Sequence, residues 1–104
     1  MALVFQALGE PNRLRVVQVL STGPRRAGEL AEAAGLSAPA MSKHLRMLLR
    51  AGVVSDERTQ QDARARVFRL RHDSMVSLRA WLDQLQARWD EQLDSFKNHV
   101  EKGP

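Results

Sequence analysis

Cysteine is missing from this chain of 104 residues, which excludes disulfides, thiolate metal sites and thiol redox sensing within it. Also missing is any apolar run approaching the roughly 20 residues of a membrane-spanning helix. No signal-peptide pattern is present, so the expectation is a cytoplasmic protein with no membrane partner. Catalytic constellations are absent as well: there is no Ser-His-Asp or Cys-His ordering, no HExxH and no glycine loop to cradle a phosphate. The 3 histidines, His44, His72 and His99, include no pair at i, i+4. Neither enzymatic activity nor a cofactor is expected.

Positive charge, by contrast, is plentiful and unevenly spread. The length suits one domain, residues 1–104, with a modest core. Residues 1–71 carry 12 Lys and Arg against 6 Asp and Glu, whereas residues 72–104 carry 4 against 6. Cations concentrated on one part of a small domain suit phosphate contact. Thirteen of the 16 are arginine, which fits bidentate contacts to phosphate and guanine and fits a G- and C-rich genome equally well.

Residues 27–51 have the pattern of a helix-turn-helix. The run AGELAEAA (27–34) is rich in helix formers, with Leu30, Ala31 and Ala34 on one side. Gly35 is placed to end it in a left-handed conformation, Leu36 to wedge between the helices, and Ser37 to cap the next one. There Met41, Leu45 and Leu48 form an inward stripe, and Lys43 lies opposite, flanked by Pro39, Arg46 and Arg50. Such a pair of helices places the second in the DNA major groove. The candidate DNA contacts on it are Ser37, Ala38 and Ala40, small enough for close approach to base edges, and Ser42, Lys43, His44 and Arg46 further along. His44 is nearer the apolar stripe than the others, and packing within the fold is an alternative role for it.

After Gly52 the pattern becomes extended. Residues 53–70 predict a two-stranded hairpin, which makes the whole a winged helix-turn-helix. The tip, Gln60-Gln61-Asp62-Ala63, lacks the Asn-Gly or Asp-Gly signal of a tight turn, so a longer and more mobile loop is expected. Arg58, Arg64 and Arg66 surround it. Arg64 and Arg66 are candidates for phosphate or minor-groove contact, although arginines on exposed hairpins also serve solubility.

Taken together, these motifs resemble the bacterial ArsR/SmtB-type winged-helix repressors over nearly the whole chain. The similar segments are VFQALGEPNRLRVV (4–17), GELA (28–31), LSAPAMSKHL (36–45) and LRAGVV (49–54). The resemblance implies a homodimeric repressor that binds an imperfect palindrome in double-stranded DNA and leaves it when an effector binds. One metal site of that family uses cysteines at the start of the first motif helix, where this chain has Arg26 in place of the usual Ser or Thr cap. The other uses Asp-x-His followed ten residues later by His-x-x-Glu. The last helix here offers Asp83, Asp90, Glu91, Asp94, His99 and Glu101 without that spacing, and Asp94 and His99 are about 140° apart around a helix. No metal ligands are therefore assigned and the effector is unknown. The alternative is an atypical His/carboxylate site at the dimer interface involving His72 or His99. A winged-helix module that has lost DNA binding is a third class, against which the basic face of Lys43, Arg46 and Arg50 argues.

Two helical segments flank the motif. Pro11 is favourable at the start of a helix, with Leu14, Val17, Val19 and Leu20 expected to face the core and Ser21-Thr22-Gly23-Pro24 to end it. Arg25 and Arg26, after that break, can touch a phosphate or simply solvate the loop. Residues 74–102 contain neither Gly nor Pro, and Leu78, Leu82, Leu85, Trp89, Leu93, Phe96 and Val100 recur at steps of 3 and 4, with Trp81 widening one end. A helix of that length measures roughly 40 Å, more than a compact 70-residue body of about 11 Å radius can cover. Packing along the chain's own domain is one destination for this stripe; a second copy of the chain is the favoured one. Val4, Phe5 and Leu8 are placed beside it as in the resembled family. The expected architecture is mainly α with a small β-hairpin, a winged helix-turn-helix with a long C-terminal dimerisation helix.

Overall fold

The structure is a computed structural model and describes residues 1–58 and 65–102. In chain order it has α1 (Ala2–Leu8), α2 (Pro11–Leu20), β1 (Arg25–Arg26), α3 (Ala27–Ala34), α4 (Ala38–Arg50), β2 (Val54–Arg58), β3 (Arg66–Leu70) and α5 (His72–Lys102). The three strands form one antiparallel sheet in the order β1-β3-β2, with Arg25 opposite Phe68 and Asp56 opposite Phe68 on the other side. The expected hairpin thus gains a third, two-residue strand. Two residues carry no periodicity, so β1 was not legible before its partner was in place. The expected wing tip and Arg64 lie outside the described residues.

Helix ends follow the local chemistry. Gly35 adopts φ 66°, its N–H reaches the Glu32 carbonyl, and the Leu36 N–H reaches that of Ala31 at 2.9 Å. Gly52 repeats the device after α4: at φ 75° its N–H bonds Leu49, and the Val53 N–H bonds Leu48 at 3.1 Å. In both places a left-handed glycine lets its own N–H and that of the following residue satisfy orphan carbonyls and turns an apolar residue back onto the helix. The Ser37 hydroxyl accepts from the Ala40 N–H at 3.3 Å, capping α4. At α3 the cap residue is Arg26, whose side chain has no acceptor; Glu29 alone reaches back, accepting from the Arg26 N–H at 3.1 Å.

The core lies where α2, α3 and α4 meet the sheet. Val16, Leu30, Met41, Leu45, Leu48, Val53, Val54 and Phe68 are its largest fully buried side chains, each contributing about 1.5–3 kcal/mol by leaving water. One expectation is corrected. Leu14 is 43% exposed and Val16 is buried instead, because α2 has apolar residues around most of its circumference and the Val16–Leu20 pair is the one that meets the other helices.

α5 stands apart from this body. It starts at His72, two residues before the expected position, with Asp73 in its first turn and bonded to Arg71 at 2.8 Å. None of its residues is buried. The radius of gyration is 19.2 Å and the longest extent 71 Å, against about 13 Å radius for a compact chain of this size. Val4, Leu8 and Met75 pack against the core, and Phe5 meets Trp81 edge-to-face at 5.0 Å. Leu82, Leu85, Trp89, Leu93 and Phe96 remain exposed. No helix among the described residues is long and apolar enough to cross a membrane.

Candidate nucleic-acid interface

Burial of Met41, Leu45 and Leu48 decides which side of α4 faces outward. Lys43, Arg46 and Arg50, at i, i+3 and i+7, fall on that side; all three are exposed, and with Met47 they line a shallow concave surface. Among the described residues none of the three is paired with one of the chain's own carboxylates. Ser37 and Ala38 are exposed and Ala40 half-buried at the helix start, so one end is narrow and the remainder cationic. Ser42 is also exposed and lines a cleft with Arg26, Gly28, Glu29 and Arg66 between α4 and the wing.

The wing arginines differ from those of α4. Arg66 donates through Nε and Nη2 to Asp56 Oδ2 at 2.8 and 2.5 Å, and its guanidinium lies 5.0 Å from the Phe68 ring centroid. Arg69 pairs with Glu57 on the opposite face of the hairpin. These two diagonals neutralise the wing base and are worth little each in water, about 0–1 kcal/mol. Arg25 closes the preceding turn, donating to the Pro24 carbonyl at 2.9 Å and Thr22 Oγ1 at 2.8 Å, while Arg26 is exposed.

His44 sits away from the cationic face. It is half-buried, with Nδ1 3.3 Å from Arg13 Nη1 and 3.6 Å from Glu10 Oε2. Glu10 caps α2 by accepting from the Arg13 N–H at 2.9 Å. Desolvation pushes its carboxyl pKa up, but the Arg13 and Asn12 hydrogen bonds and the charges of His44 and Arg13 outweigh it and hold the value below the ordinary range. Arg13 was not singled out from the sequence, since nothing local marks an arginine whose partners lie on two other helices. Among the described residues no three His, Asp or Glu side chains are grouped closely enough to hold a metal ion.

Residues 10–56 match the arsR family of bacterial regulatory proteins. Over 84 residues, 81% of this chain and 76% of the other, the sequence is 36% identical to HTH-type transcriptional regulator Rv2034 of Mycobacterium tuberculosis. The chain belongs to the ArsR family. It is also 40% identical over 58 residues to the transcriptional repressor SdpR of Bacillus subtilis, a match spanning 56% of this chain and 64% of that protein, a little under two thirds of its length. Among solved structures it is similar to the homodimeric winged helix-turn-helix DNA-binding domain Mb0332 of Mycobacterium bovis, with a TM-score of 0.65 and 27% identity over 88% of this chain and 80% of that one. ArsR-family members are DNA-binding transcriptional regulators and not enzymes, and α3 and α4 are the helix-turn-helix of this one.

Proposed function

We propose that this ArsR-family chain acts as a homodimeric repressor that reads an inverted-repeat operator and takes no metal effector. The observation that carries the DNA-reading part is the cationic face of α4, Lys43, Arg46 and Arg50, unpaired among the described residues, whereas Arg66 and Arg69 of the wing pair with Asp56 and Glu57. In this reading Ser37, Ala38, Ala40 and Ser42 approach base edges, Lys43 and Arg46 contact bases or desolvated phosphates, and Arg64 and Arg66 of the wing contact backbone or minor groove. Dimerisation is supported by the exposed stripe of α5. Leu78, Trp81, Leu82, Leu85, Trp89, Leu93 and Phe96, with Val4, Phe5 and Leu8 of α1, form an apolar band that a second copy covers by symmetry. The resemblance to a homodimeric winged-helix domain points the same way.

The test is selection from a randomised duplex pool, then gel shift at several salt concentrations alongside sedimentation. The expected result is a dimer on two half-sites one helical turn, roughly 34–36 Å, apart. Binding with no preference among sequences, and with only a salt-dependent strength, marks simple polycation behaviour and overturns it.

A further inference from the structure

We propose that Arg13 is a positioning residue for DNA reading: its guanidinium joins the end of α1 to His44 of α4 and fixes the rotational setting of the recognition helix. The inference rests on the reading that α4 enters DNA. Arg13 Nε donates to the Ala7 carbonyl at 2.7 Å and Nη2 to the Gln6 carbonyl at 3.3 Å. Both carbonyls belong to the last turn of α1, where intrahelical donors run out. The residue four beyond Ala7 is Pro11, which has no N–H to offer. Arg13 thus closes α1 from outside, and its remaining arm, Nη1, reaches His44 Nδ1 at 3.3 Å. Arginine has no acceptor, so the Arg13–His44 contact is a hydrogen bond in the tautomer whose Nδ1 is bare and whose Nε2 carries the proton. Glu10, held by the Arg13 N–H, lies 3.6 Å from the same nitrogen.

The need for such a clamp follows from how α4 is seated. Its contacts with the core run through Met41, Leu45 and Leu48, which decide the face that points outward, while apolar contacts, being non-directional, set the finer angle less sharply. A hydrogen bond is directional. One on the flank at His44, between Lys43 and Arg46 in sequence, sets the angle at which both cations point. The other end of the fork holds α1, whose Phe5 packs on Trp81 of α5. The same side chain therefore links the apolar band to the helix that reads DNA. Lysine carries the charge but lacks the planar fork that serves three acceptors together.

The experiment compares full-length wild type, Arg13→Gln, Arg13→Lys, His44→Ala and the Arg13→Gln/His44→Ala double variant, using a duplex recovered by the selection above. Arg13→Gln and His44→Ala should each weaken binding about tenfold, with the double variant losing little more. Arg13→Lys should bind like Arg13→Gln. In DNA-free wild type, imidazole nitrogen NMR should show His44 with Nδ1 bare, a signature that Arg13→Gln dissolves into a tautomer mixture. Additive losses overturn the proposal, as does wild-type affinity in either Arg13 variant or a tautomer mixture in the wild type. Should Arg13→Gln fail to fold, Arg13→Lys carries the comparison. If wild type selects no duplex, DNA reading by α4 falls, and the imidazole spectra still decide whether the clamp exists.

Discussion

Arg66 and Asp56 pair diagonally on one face of the wing, two positions apart across the β2–β3 register, with Arg66 Nε 2.8 Å from Asp56 Oδ2. In the free chain Asp56 therefore competes with DNA for Arg66, which also lies over the Phe68 ring. Asp56→Asn should release it to phosphate and steepen the dependence of log affinity on log salt by about one ion. Anisotropy titrations at several salt concentrations read the slope. An unchanged slope means Arg66 stays over Phe68 in the complex.

Lys43→Ala and Arg46→Ala should each weaken operator binding by roughly 1–3 kcal/mol, as expected of side chains that meet bases or desolvated phosphates. Because neither is paired among the described residues, thermal unfolding should barely change. Full affinity in the double variant would take α4 out of the groove.

Leu85→Asp and Trp89→Asp place carboxylates in the middle of the exposed band of α5, where Leu85 and Trp89 are 49% and 56% exposed in the single chain. If a second copy covers that band, each costs several kcal/mol through an unpaired buried charge. Sedimentation should show monomers, and gel shift should fail with it. A variant that remains dimeric rules out this helix as the seam.

Acid should weaken the α2 start before it touches the core. Glu10 has a folded pKa lowered from the ordinary 4.5, so its contribution is complete above that value, declines as pH falls below it and is gone once pH passes the folded value. Asp73, held down by the Arg71 side chain, behaves in the same direction. Glu10→Gln should flatten the acid limb of a melting-temperature profile and leave Asp73's share. An unaltered limb would mean that Glu10 gains nothing from Arg13 and His44.

Zn²⁺, Ni²⁺, Cu⁺ or arsenite at modest excess should leave the DNA complex intact, since the chain has no thiolate and one copy brings no ligand group together among its described residues. Release of DNA by stoichiometric metal, lost again in His99→Ala, would establish the interface-site alternative.

Much of the fold could be read from local chemistry. Pro11, Gly35, Ser37 and Gly52 mark helix ends through backbone preferences that hold in any context, and the stripe of Met41, Leu45 and Leu48 orients α4 by periodicity alone. What escaped depends on tertiary placement. Arg25–Arg26 becomes a strand only because β3 lies beside it. Leu14 yields its place to Val16 because the neighbouring helices select one face of an α2 whose apolar residues spread around much of its circumference. Arg13 finds His44 across 31 positions of sequence, a separation that no repeat or motif encodes. Arg66 likewise read as a free cation until register brought Asp56 beside it.

The 31 uninterrupted residues of α5 also act as a phase-keeper. Each residue turns the helix by about 100°, so whatever follows Trp81 keeps an angular relation to Phe5 that only the intervening count determines. Inserting a single residue after Trp81 would swing Leu85, Trp89, Leu93 and Phe96 a quarter-turn or more around the axis while leaving every local preference intact. Seven added residues would restore the angle to within roughly 20°. Length along this rod is thus free to change in steps of about 7, 11 or 18 residues, which come within roughly 20° of whole turns, and not in single steps, and a chain of different length that keeps the same apolar band should differ from this one by such a step.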